Sequence, residues 1–221
     1  MSVMARRRID VVLVDEEDLS RRGFTAALNE EPDIRVVADT GSAVDAVPLV
    51  ERYRPDVVLT DVGAPGAEAV ELTRRLTCAR TAPAVMLLTS AGREDVLFSA
   101  LRAGASGFLL KKTSLPELSQ AIRAVAAGQA VICPPMTRLL LDRLGTLPVA
   151  RRASTEAWSR LSARELDVLR ALAGGRSNQE IAQELHLSVA TVKSHISNLL
   201  GKLELRNRVE AALFVYQNSL S

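Results

Sequence analysis

The 221-residue sequence predicts two units in series: a doubly wound α/β domain on a five-stranded parallel sheet, then a small all-α helix-turn-helix domain. Three observations carry this reading. Over the first 130 residues, short apolar runs alternate with amphipathic stretches. After Gly128 the composition shifts to proline, arginine and Ser/Thr. From Leu161 onward apolar residues recur at helical spacing. Strands alternating with helices argue for a parallel sheet covered on both faces, and a change of hydrophobic period marks a change of architecture.

The predicted strands span 9–14, 34–38, 57–60, 85–89 and 107–110, each close to continuously apolar, as strands buried on both faces are. Between them helices are expected over 19–29, 43–52, 67–76 and 94–103, with a last one over 115–127. Residues 1–130 form the first domain. Residues 131–158 read as a linker with three prolines and a short helix over 136–144, which Pro134-Pro135 can initiate; the stretch 145–159 reads as flexible. Trp158 is expected to pack against the domain that follows, 159–221. There an amphipathic helix (LSARELDVL) precedes SNQEIAQEL, the turn HLS and VATVKSHISNLLGKL. The last of these turns Val189, Val192, Ile196, Leu199, Leu200 and Leu203 inward. Its other faces offer Thr191, Lys193, Ser194, Ser197, Asn198 and Lys202, hydrogen-bond donors suited to a DNA groove. A closing helix is expected over 208–217.

Composition narrows the function classes. Aromatic residues make up only 3% of a chain that is 48% hydrophobic, so cores are built from Leu, Val, Ala and Ile. No apolar run is long enough to span a bilayer. The basic start and short apolar run end in acids rather than a small-residue cleavage site, so the run reads as a buried strand and not a signal peptide. Cys78 and Cys133 are too few and too separate for a disulfide framework or zinc site, and His186 and His195 lack companions for a metal. A cytoplasmic protein without membrane association is expected. Residues 1–130 carry 16 basic and 18 acidic side chains, residues 131–221 carry 12 and 8. The second half is only mildly basic, so DNA affinity would rest on a few placed cations and on dimerisation.

In doubly wound sheets the functional crevice lies beyond the carboxyl ends of the strands. Those ends supply Asp15 and Glu16 after the first strand, Asp61 after the third, Thr89 and Ser90 after the fourth and Lys111 after the fifth. Crowded carboxylates repel, and a hard cation such as Mg2+ relieves that repulsion. A carboxylate beside a metal can act as a nucleophile toward phosphorus, with lysine and hydroxyl groups stabilising the phosphoryl oxygens.

This constellation resembles the response-regulator receiver domain, a flavodoxin-like fold. VVLVDEED fits its acidic-pair strand, RPDVVLTDVGAPG the phosphoacceptor strand and loop, and APAVMLLTS and ALRAGASGFLLKK the last two strands. LPELSQAIRAVAAGQAVI fits the final helix. The resemblance implies Asp61 as phosphoacceptor, with Asp15, Glu16, Asp61 and the Gly63 carbonyl as Mg2+ ligands. It implies Thr89 as switch hydroxyl, Phe108 as switch aromatic and Lys111 as the phosphate-contacting lysine. Likewise LSARELDVL, AGGRSNQEIA and LSVATVKSHISNLLGKLELRNRVEA resemble the LuxR/NarL-type DNA-binding domain. That resemblance implies a recognition helix from about Val189 and a closing helix that helps form a dimer. Together the two describe a NarL/FixJ-type two-component regulator, with double-stranded promoter DNA, a sensor histidine kinase and a second copy of itself as partners.

The sequence departs from the receiver pattern in places. Glu16 stands where Asp is usual, Glu17-Asp18 replace His-Pro, Ala69 occupies a frequent glycine position, and Lys112 replaces Pro or Asp. An orphan transcription factor, whose receiver-like domain mediates dimerisation or ligand sensing without phosphorylation, therefore stands as the alternative. A phosphohydrolase with an aspartyl-phosphate intermediate is disfavoured. Such enzymes commonly place an acid two residues after the nucleophile, where this chain has Gly63.

Overall fold

The computed structural model describes residues 8–63, 66–77, 82–91, 93–137, 139, 158–205 and 207–219. Strands β1 (Ile9–Val14), β2 (Ile34–Thr40), β3 (Val57–Asp61), β4 (Ala84–Thr89), β5 (Gly107–Leu110) and β6 (Val131–Ile132) alternate with helices α1 (Asp18–Asn29), α2 (Ala43–Tyr53), α3 (Ala67–Thr77), α4 (Glu94–Ala103) and α5 (Leu115–Ala126). All strand pairs are parallel, in the order β2-β1-β3-β4-β5-β6. Val11, Val12, Val57, Val58, Leu59, Val85, Met86 and Leu87 are fully buried in the central strands, which is why their sequences carry no polar alternation. The chain leaves β1 toward β2 on one side and reaches β3 on the other. That reversal opens a crevice beyond the strand ends.

The sheet has six strands where the sequence predicts five. Val131–Ile132 lies in the stretch read as linker, yet it pairs with Gly107 and Phe108. Val131 N–H donates to Ser106 O and Cys133 N–H to Phe108 O, each at 3.0 Å. Cys133 and Met136 are buried against the same core. An exposed β5 edge would leave its backbone groups unpaired, and two residues suffice to cover its start; a strand that short has no periodicity to read. A helical turn follows at 134–137. Most of the helix expected over 136–144, and the stretch 145–157, lies outside the described residues.

The C-terminal domain contains α6 (Ala163–Ala173), α7 (Asn178–Glu184), α8 (Val189–Lys202) and α9 (Arg208–Ser219). Serines set three of the helix starts. Ser162, Ser177 and Ser188 accept from the backbone N–H groups of Glu165, Glu180 and Thr191, and the first two form reciprocal capping boxes with their glutamates. Such caps satisfy otherwise unpaired amides of the first turn. The core gathers Val168, Leu169, Leu172, Ile181, Val192, Leu199 and Ala211. Trp158 packs on it as expected, its ring 5.3 Å from that of Phe214. Val189 departs from expectation. It lies on the apolar stripe of α8 but is 41% exposed, because the first turn projects past the end of the core. Among the described residues no helix is long and apolar enough to cross a membrane.

Candidate functional site

Three strand ends converge on Lys111. Its Nζ lies 2.9 Å from Asp61 Oδ2, 3.0 Å from Asp15 Oδ2 and 3.6 Å from Glu17 Oε2. Asp15, just past β1, is buried and well held: Oδ1 accepts the Glu17 N–H at 2.9 Å, and Oδ2 accepts the Ser20 hydroxyl at 2.7 Å. Asp61, the last residue of β3, is different. One oxygen takes Lys111; the other, Oδ1, is buried with no hydrogen-bond partner. Burial pushes the Asp61 carboxyl above its ordinary value, against the pull of Lys111 and with added repulsion from Asp15 and Glu17. Burial disfavours the Lys111 ammonium, but Asp61 and Asp15 outweigh it and hold it above the usual lysine range. The pocket thus carries more negative charge than its one lysine neutralises.

That imbalance, with an orphaned anionic oxygen, fits a divalent cation. Glu16 and Gly63 line the same pocket as Asp15 and Asp61, and a Cβ on Gly63 would sit 3.6 Å from Glu16 Oε1. Among the described residues no three acidic, His or Cys side chains form a ready-made metal cage. Mg2+ does not require one, since it keeps several waters and takes one or two carboxylates.

Thr89 is buried at the end of β4. Its hydroxyl donates to Ala91 O at 2.7 Å and accepts the Ala91 N–H at 3.3 Å, so it is tied to the loop before α4. Phe108 is fully buried in β5, beside Leu87 in β4 and Ile132 in β6.

Sequence reading missed Arg21. This residue donates to the Asp15 carbonyl at 2.7 Å, to Asp18 at 2.6 Å and to Asp39 at 3.0 Å. It fixes the acidic loop from behind; its six-residue spacing from Asp15 gives no distinctive signal.

On α8, Lys193, Ser194 and Asn198 are exposed, while Thr191 and Ser197 are half-buried. Two of the hydroxyls have local partners: Thr191 with Ser188 at 2.7 Å and Ser194 with Ala190 O at 3.1 Å. Lys202, on the last turn, is held apart from this group by Glu165 of α6, 2.6 Å away. Glu165 is buried and also accepts from Ser162 N and Oγ at 2.8 and 2.9 Å. Burial alone would raise its pKa, but Lys202 and Ser162 hold the carboxyl below its usual range. The capping-box spacing of Ser162 and Glu165 is visible in sequence; the partner 37 residues away is not.

Comparison with known proteins agrees with both halves of this geometry. The family model for the response regulator receiver domain matches residues 11–123, and that for bacterial regulatory proteins of the luxR family matches residues 159–215. The transcriptional regulatory protein LiaR of Bacillus subtilis (strain 168) is 33% identical over 214 residues, 96% of this chain and 99% of its own. The response regulator protein VraR of Staphylococcus aureus (strain NCTC 8325 / PS 47) is 31% identical over 212 residues, covering 96% and 98%. The crystal structure of ChrA, the response regulator of a heme-sensing two-component system, is 34% identical with a TM-score of 0.52, covering 97% of this chain and 99% of that one. An RcsB–DNA complex, 20% identical at a TM-score of 0.55 over 96% and 99%, shares the fold. The chain belongs to the response regulators that join a receiver domain to a LuxR-type DNA-binding domain.

Proposed function

We propose that this response regulator accepts a phosphoryl group on Asp61, in the presence of Mg2+, and thereby controls binding of its C-terminal domain to promoter DNA in the cytoplasm. The observation that carries the reading is the state of Asp61: one oxygen fixed by Lys111, the other buried and unpartnered. A carboxylate held in excess negative charge is poised for a cation and an electrophile. The donor is a phosphohistidine of a sensor kinase or a small phosphodonor. A carboxylate oxygen of Asp61 bonds to phosphorus as the bond to the donor's leaving group breaks, and that group leaves with the electron pair. Asp15, Glu16, Asp61 and the Gly63 carbonyl would hold the Mg2+, which supplies charge neutralisation for the approaching phosphoryl oxygens. Lys111 holds the acceptor in place and neutralises one phosphoryl oxygen. Thr89 exchanges its bond to Ala91 O for one to the phosphoryl group, and Phe108 repacks beside it.

On the output side, α8 enters the major groove. Lys193, Ser194 and Asn198 are its exposed polar contacts, Thr191 and Ser197 flank them, and Lys202 anchors the helix end through Glu165. The matched family and the RcsB dimers solved on DNA support a homodimer on a two-fold site.

The test is intact mass after incubation with Mg2+ and a small phosphodonor. Wild type is expected to gain one phosphoryl group and Asp61→Asn none. A specific observation favours a second reading: Glu17 joins Asp15 and Asp61 around one lysine, adding negative charge that a phosphoryl group must overcome. If neither protein gains mass, also with a cognate kinase, while the folded protein binds DNA, the phosphorylation-independent regulator replaces the first reading.

A further inference from the structure

The two domains meet through a small polar contact. Asn207 caps the start of α9: its Oδ1 accepts the Glu210 N–H at 2.8 Å. Its Nδ2 points the other way and donates to the carbonyl of Leu101, in the last turn of α4. A few residues along, Val209 packs against the receiver core. A second contact lies at the end of α5. Asn178 N–H, in the first turn of α7, donates to the Ala127 carbonyl at 3.3 Å. Gly128 adopts a φ of +83°, and a Cβ there would collide with the Asn178 amide. Both contacts use carbonyls at receiver helix ends, where the backbone has acceptor capacity to spare; that of Leu101 also accepts the Gly104 N–H of the α4 C-cap at 3.0 Å. Neither uses α8, whose Lys193, Ser194 and Asn198 are exposed.

The Leu101 contact is also connected to the phosphoacceptor pocket. Thr89 is hydrogen-bonded to Ala91 O, and α4 starts three residues later at Glu94. A Thr89 hydroxyl that turns to a phosphoryl group must release Ala91, which frees the loop that positions α4. Leu101 sits at the far end of this ten-residue helix.

We propose that Asn207 is an interdomain latch. Its amide holds the DNA-binding domain docked on α4, the Asn178–Gly128 contact at α5 acts as the pivot, and movement of α4 opens the pair. The receiver restrains the domain through α7 and α9 and leaves the reading face of α8 uncovered. The trigger rests on the phosphorylation reading above; the latch does not.

Asn207→Asp in the full chain separates latch from fold. The carboxylate still caps α9 through the Glu210 N–H, but it has no N–H to give Leu101 and sets a negative charge against a carbonyl. Loss of this hydrogen bond is expected to shift the docked-to-open ratio about tenfold. The readouts are the radius of gyration by small-angle scattering and hydrogen exchange of the Asn178 backbone amide, whose acceptor, the Ala127 carbonyl, lies across the interface. Without any phosphodonor, the variant should expand and lose about tenfold of that protection, with its melting temperature kept. Wild type should make the same change once Asp61 is phosphorylated. A variant that melts normally yet keeps wild-type dimensions and exchange overturns the latch. Wild type that gains the phosphoryl group without expanding overturns the coupling to α4. Failure to gain it at all counts against the phosphorylation reading, while the phosphodonor-free comparison still decides the latch.

Discussion

In the receiver pocket one lysine faces three carboxylates; in the DNA-binding domain one lysine faces one. Lys111 spans Asp15, Asp61 and Glu17 and still leaves Asp61 Oδ1 without a partner. Lys202 meets Glu165 alone, and the two hydrogen bonds from Ser162 reach the same carboxylate oxygen, Oε2, so that here the donors converge on one acid. Two acids in one chain, one half-buried and one buried, are thus driven in opposite directions: Asp61 is raised and Glu165 lowered. A matched pair fixes two helices against each other. A mismatched cluster retains a preference for whatever cation or electrophile arrives, as functional sites do.

Removing each lysine tests this contrast. Lys111→Met leaves Asp15 and Asp61 facing each other without a cation, and the receiver should lose about 2–4 kcal/mol in denaturant melts. Added Mg2+ should restore much of that, because the cation replaces the missing charge. Lys202→Met strands Glu165, at a smaller cost of about 1–3 kcal/mol because Lys202 is partly solvated. Here Mg2+ should restore nothing. Glu165 titrates lower folded than unfolded, so its contribution is complete above its ordinary value of 4.5 and disappears as pH falls through the folded value. The Lys202→Met deficit should therefore shrink on acidification. Equal Mg2+ rescue of both variants would erase the distinction between the two centres.

Lys193→Ala addresses the exposed face of α8 proposed to meet DNA. It should weaken specific DNA binding by about 1–3 kcal/mol if the side chain reads a base edge, leaving the melting temperature unchanged. An equal loss on specific and nonspecific duplex would make Lys193 a phosphate contact instead.

The smallest expected effect is a gain. Asp61 titrates higher folded than unfolded, so its ionised form costs stability once pH exceeds the ordinary value of 3.8. Asp61→Asn should stabilise the receiver by about 1 kcal/mol or less at pH 7, with the advantage fading as pH falls toward that value. The same variant should lose stabilisation by Mg2+. A destabilised Asp61→Asn at pH 7 would mean that the attraction of Lys111 outweighs the desolvation of the pocket.

Much of this was legible in the sequence, for identifiable reasons. Strands β1, β3 and β4 are buried on both faces over 11–14, 57–60 and 85–89, and the apolar runs 11–14, 57–59 and 84–88 within them are unbroken. Placing acids, threonine and lysine at strand ends follows from parallel topology alone, and Asp15, Asp61, Thr89 and Lys111 are where that rule puts them. Strand β6 was not legible, because two residues on an edge have no period. The exposure of Val189 is not legible either, because a helical stripe does not reveal where the core beneath it stops.

By itself the sequence determined the order of the elements apart from β6, the two-domain architecture and the identity of the groups at the strand ends, because these depend on local periodicity and chain direction. Only the tertiary structure decided which charges meet: that Arg21 braces the Asp15 loop, that Lys202 turns to Glu165, that Asp61 keeps one oxygen unpartnered, and that Asn207 reaches Leu101. Those pairings join residues brought together only by packing, and the strength of each depends on burial and distance, which the order of residues does not state.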